Sequence, residues 1–172
     1  MMIFQGDKDG ECARRGFGFE AVARGVFEKR GYETKAPTQD EAIKGHVDFW
    51  VKDKHGEWRS VDAKAMKKLS RHDEQAQDEW TFIEWANNAG MPGWLVKGAE
   101  FMAFEREEHV FLVKRAKLHD WAESKVDFMS LCARSSDAKY KVYSRAGRQD
   151  LTSLIRLDDF PERLRLMWPK NP

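Results

Sequence analysis

The sequence predicts an α/β fold with a mixed β-sheet flanked by helices, and three observations predict it. Apolar residues recur at helical spacing over residues 12 to 30. Residues 46 to 66 form two alternating runs around the turn "KHGE", which is the pattern of a β-hairpin. After a second stretch read as helix come further strand-like runs. The order helix, strands, helix, strands describes a sheet with helices packed on it.

In the first helix the apolar stripe is Phe19, Val22, Ala23, Val26 and Phe27, and Gly31 follows Lys29 and Arg30 as a stop signal. Glu20 borders this stripe instead of opposing it. "YETKAP" reads as a short strand ended by Pro37, and "TQDEAIKG" as a polar loop or a single helical turn. In "HVDFWVKD", Val47, Phe49 and Val51 take one face while His46, Asp48 and Trp50 take the other. "WRSVDAKAM" is the partner strand: Val61, Ala63 and Ala65 face the core, and Asp62 and Lys64 face a cleft. A helix is expected over residues 73 to 88, built on Ala76, Trp80, Ile83 and Trp85. "WLVKG", "EFMAFE" and "HVFLVKRA" read as strands and "LHDWAESKVDFM" as a helix. "KYKVYSR" and "DLTSLIRL" suggest a second hairpin, with Asp158 capping a last short helix.

Composition narrows the class. The chain has 172 residues with 30 Lys plus Arg against 29 Asp plus Glu, so any nucleic-acid partner must be held by a local patch. Cys12 and Cys132 offer neither a disulfide framework nor zinc-ligand spacing, and no apolar run is long enough to span a membrane. A soluble cytoplasmic protein with no membrane partner is expected. The seven Trp are expected in the core or at an interface, with Trp80 or Trp85 against a partner subunit.

The chemistry sits around "SVDAKAM". Four acidic-x-Lys triplets occur, at residues 33, 62, 123 and 137, and composition alone would give about two or three. The triplet at 62 lies in a patterned strand that follows another strand carrying an inward acid, Asp48. If the two strands pair, Asp48 and Asp62 share a face. Two carboxylates so close repel unless a cation sits between them, and hard oxygen ligands favour magnesium. A wet edge carrying chance charges is the competing reading.

Glu20 on a first helix, Asp48 on a strand and Asp62-Ala63-Lys64 on the next resemble the PD-(D/E)xK nuclease superfamily, although Val47 stands where the motif has Pro. The resemblance covers roughly residues 12 to 116 and implies a restriction endonuclease-like core. Residues 1–11 would then be a short leader, and residues 117–172 an extension completing the fold or contacting substrate. It further implies a Mg²⁺-dependent DNA endonuclease of phage or mobile-element type, with Mn²⁺ able to substitute, acting as a homodimer. Asp48 and Asp62 would be metal ligands, helped by the Ala63 carbonyl, while Glu20 would bind metal through water. Lys64 would orient the attacking water. A nucleic-acid-binding protein that keeps this fold without cutting is the alternative.

Around this core, Lys67, Lys68, Arg71 and His72 are candidates for contact with flanking phosphates. Gln75 or Gln77 is a candidate to support the site from the next element. Arg145 and Arg148, in a Gly-containing turn, are a second candidate phosphate contact.

Overall fold

The computed structural model describes residues 11–70 and 72–171. Residues 1–10 of the expected leader and the candidate Arg71 lie outside the described residues.

Helix α1 spans Glu11–Lys29. It ends as its sequence predicts: Gly31 takes φ 82°, its N–H donates to the Glu28 carbonyl (2.9 Å), and the Tyr32 N–H reaches back to Phe27 (3.2 Å). This is a Schellman closure, and the Phe27–Tyr32 ring contact at 5.7 Å supplies its hydrophobic part. Strand β1 (Thr34–Lys35) follows, then α2 (Gln39–Gly45). That segment is a true helix because Thr38 and Glu41 form a reciprocal capping box. Strands β2 (Phe49–Lys52) and β3 (Trp58–Lys64) pair antiparallel, with Phe49 opposite Val61 and Lys52 opposite Trp58. Asp53 shapes their turn by accepting from the N–H groups of His55 and Glu57, and Gly56 takes φ 85°.

The expected helix over 73–88 is not present. Its second half is strand β4 (Thr81–Ala86), rich in β-branched and aromatic residues, whose Ile83 and Trp85 face the core. Its first half is turns pinned by Gln77. The expected strand "WLVKG" is a turn instead, closed by the Gly93 carbonyl accepting from Val96 and Lys97, although Trp94 and Leu95 are buried. Strands β5 (Phe101–Glu105) and β6 (His109–Lys114) pair as expected. Helix α3 covers Arg115–Glu123, starting three residues before its predicted span, and the last three residues of that span open strand β7 (Asp127–Cys132). Strands β8 (Lys141–Tyr143) and β9 (Leu151–Ile155) form the second hairpin. Asp158 lies inside a short 3-10 turn and caps nothing, and the chain continues into strand β10 (Arg165–Pro169).

Among the described residues the strands form two mixed sheets where one was expected. The six-stranded sheet has the order β1-β2-β3-β5-β6-β10, with β3 and β5 parallel, and the four-stranded sheet the order β4-β9-β8-β7. Alternation along the large sheet makes two cores. Phe49, Val51, Val61, Ala63, Ala103 and Leu112 pack under Phe19, Ala23, Val26 and Phe27 of α1. On the opposite face Met102, Phe104, Phe111 and Val113 pack against Ile83 and Ile155 of the small sheet and Leu118 of α3. Trp85 belongs to this second core, where its indole N–H donates to Ser153 (2.9 Å).

Candidate active site

Asp48 and Asp62 meet where β2 begins. His46 takes a left-handed conformation (φ 50°) as α2 ends, so the chain enters the sheet only at Asp48. The Asp48 N–H donates to the Val61 carbonyl (2.9 Å), and its Oδ2 accepts the Ala63 N–H (2.7 Å). A side chain thus completes the ladder where the backbone of β2 has turned away. Phe49 and Val61 point into the α1 core, so Asp48, Asp62 and Lys64 share the other face.

Asp62 is buried more deeply than the expected cleft position, with 1% of its surface exposed. Lys64 Nζ lies 2.7 Å from its Oδ1 and 5.1 Å from the ring centre of Trp94, which screens the pair. Asp62 Oδ2 is buried with no hydrogen-bond partner. Burial chiefly pushes the Asp62 carboxyl upward, and Lys64 opposes the shift. Asp48 is pushed up to about 7, first by burial and then by the Asp62 charge, against the pull of the Ala63 N–H and Lys64. The two carboxyls lie within hydrogen-bonding reach, but both accept, so only a shared proton or a cation can join them.

Glu20 reaches this cluster from α1. Burial and the Asp48 charge raise it to about 7, and Lys64 pulls it back. His46 is pushed down, by burial first and then by Lys64, with Glu84 and Asp48 opposing. Glu84 on β4 also accepts from the Trp94 N–H (3.4 Å). Sequence reasoning missed Glu84 and Trp94 because it read β4 as helix. Treating "TFIEWA" as a strand would have set Phe82 and Glu84 on the face opposite Ile83 and Trp85.

These positions fit a hard divalent cation. An orphaned buried carboxylate oxygen and a second carboxyl beside it are a donor set Mg²⁺ accepts, because it takes one or two protein carboxylates and keeps its waters. Among the described residues no three His, Cys, Asp or Glu side chains converge into a closed cage. Glu20 therefore stands outside direct coordination as the chain is arranged.

The flanking candidates lie on two segments, the loop after β3 and the 144–150 turn. The Lys67 carbonyl accepts from both the backbone and side-chain N–H of Gln77, and Gln77 also brackets Trp80, so Gln77 fastens the 67–80 loop. Lys67 and Lys68 each make contacts in the structure. His72 and Gln75 are exposed on the same loop. Arg145 is bound to buried Asp150 (2.6 Å) and to Asn88, while Arg148 is exposed in the same turn. Asn88 lies in the turn that follows β4, so Arg145 is tied to the far end of that strand.

Fold and site together define a mixed α/β protein with a buried Asp62, a half-buried Asp48 beside it and a lysine at the end of a strand paired in parallel with β5. No family model and no curated protein matches the chain. Its structure is similar to that of a bacterial homing endonuclease, I-Ssp6803I, at 14% identity and a TM-score of 0.46, covering 63% of this chain and 72% of that one. No helix among the described residues is long and apolar enough to cross a membrane.

Proposed function

We propose that the protein is a metal-dependent endonuclease that hydrolyses DNA phosphodiester bonds at the Asp48–Asp62–Lys64 cluster. The observation that carries this reading is the buried, unpartnered Oδ2 of Asp62 beside the Asp48 carboxyl, an arrangement that repels itself until a cation enters. Asp48 and Asp62 would hold Mg²⁺ or Mn²⁺, joined by the Ala63 carbonyl. When bound, the ion supplies Lewis-acid polarisation of the phosphoryl oxygen and a lowered pKa for its water.

The chain's own residues supply the rest. Lys64, 25% exposed, presents an ammonium to the charge that grows on a phosphate in reaction. Glu20, raised to about 7, can take a proton from water near neutral pH. Trp94 excludes solvent from one side of Lys64, which strengthens its interaction with charge. A homodimer would present two such sites to the two DNA strands.

Incubating supercoiled, linear and four-way-junction DNA with and without Mg²⁺ or Mn²⁺ tests the reading, beside Asp62→Ala and Lys64→Ala. Metal-dependent nicking lost in both variants supports it. No nicking of any of these DNAs by the parent protein overturns it, and full activity in both variants moves the chemistry elsewhere.

A further inference from the structure

The large sheet carries a second feature on the same face as the acids. Lys35 pairs with Trp50, Trp50 with Ser60, and Lys52 with Trp58, so these side chains form two adjacent rows beside Asp48 and Asp62. The large-sheet residues in the core shared with the small sheet are Met102 and Phe104 of β5 and Phe111 and Val113 of β6, and neither Trp50 nor Trp58 belongs to either core. Lys35 Nζ stands 4.3 Å from the Trp58 ring centre and 5.6 Å from that of Trp50, and Lys52 Nζ 5.5 Å from Trp58. The two rings are diagonal neighbours, a relation that puts side chains about 7–8 Å apart. Trp50 is held from its edge, its indole N–H donating to Glu41 (3.4 Å).

We infer that this lysine–tryptophan face is a track for single-stranded DNA that leads into the acid cluster. The inference deepens the nuclease reading and rests on it for the direction of the track. Trp50 is two residues from Asp48, about 6.5 Å along the strand, so a nucleotide next to one bound at the acids lies over that ring. Trp58 continues the row. Aromatic rings bind bases of any sequence, but only unpaired bases have a free face to offer, which is why the occupant is single-stranded.

The lysines complete the match. Lys35 is exposed and holds its charge over both rings, and Lys52 forms an ion pair with exposed Glu33 (3.0 Å). A surface pair of that kind yields to a phosphate. The bland account is that lysine stems merely cover two rings in a solvated face. It predicts no ligand that depends on the rings.

Binding of a fluorescent oligothymidylate of about 16 nucleotides, within the site sizes of such grooves, separates the two accounts. The full chain is used in EDTA, beside a duplex of equal length. Trp58→Leu should weaken oligothymidylate binding about tenfold, while Trp58→Phe, which keeps a π-face, stays within about threefold. Duplex binding should change little in either. Quenching of the parent protein's tryptophan fluorescence by oligothymidylate gives a readout that needs no variant. Equal binding by a folded Trp58→Leu, or the absence of quenching, overturns the inference. Because no cleavage occurs in EDTA, ring-dependent binding without metal-dependent nicking would sink the nuclease reading alone.

Discussion

Lys64 holds Asp62 through one oxygen only: its Nζ lies 2.7 Å from Oδ1, while Oδ2 stays buried without a partner. Half of the buried charge is compensated and half is left open. The Lys64→Ala variant removes the compensated half. It should lose about 3 kcal/mol of stability at pH 8 in EDTA, because an unpaired carboxylate is left inside. Added Mg²⁺ should recover part of that loss, read as a rise in melting temperature.

Asp48→Asn should act in the opposite direction. The amide oxygen still accepts the Ala63 N–H, but the charge that repels Asp62 is gone. Without metal the variant should be more stable than the parent by roughly 1–3 kcal/mol at pH 8, measured by denaturant unfolding. The gain should vanish near pH 4. A carboxyl raised in the folded state binds its proton more tightly there, so its cost is absent below the unfolded pKa and grows as pH rises toward about 7. The same variant should lose the Mg²⁺-dependent rise in melting temperature.

Metal affinity should itself follow pH. Asp48, raised to about 7, holds a proton that a cation must displace. Affinity for Mg²⁺ should therefore fall as pH drops from 8 to 6. Calorimetry in buffers of different ionisation enthalpy should show proton release near pH 7. Binding that is flat across this range would mean the cation sits elsewhere.

The two arginines of the 144–150 turn should part company. Arg145 neutralises Asp150, which is 2% exposed, so Arg145→Ala should cost about 2–4 kcal/mol of stability. Arg148 is exposed, and Arg148→Ala should leave thermal unfolding unchanged. If Arg148 meets a phosphate, its loss should lower the salt slope of DNA binding by about one.

The hairpin was legible because its signal is local: alternation over 46–66 and a Gly-containing turn bring Asp48 beside Asp62 whatever else the chain does. Glu20 was readable as a residue at the border of the α1 stripe, while its place near the acids came only from the resemblance. The depth of Asp62 was not: its partner Lys64 lies over Trp94, a residue in a turn that is fastened to Glu84 of β4 and packs on Phe104 of β5. Reading β4 as helix hid that turn and the second sheet with it. "TFIEWA" is short, and Trp80, Ile83 and Trp85 are close enough in sequence to imitate a helical stripe that their strand chemistry contradicts. Residues 127–129, the end of the helix expected over "LHDWAESKVDFM", open strand β7 instead, because Asp127 and Phe128 continue the polarity of α3.

Asp48 does two things at once at the entry to β2: it faces Asp62, and it takes the Ala63 N–H that the backbone cannot reach. A slip of the hairpin by one residue would leave that N–H without an acceptor and swing Asp62 toward the apolar side of α1. Misaligned molecules would therefore be both unstable and devoid of the acid pair. The pairing of the two strands proofreads the site, so a population of this chain should contain few molecules that are folded yet chemically blank.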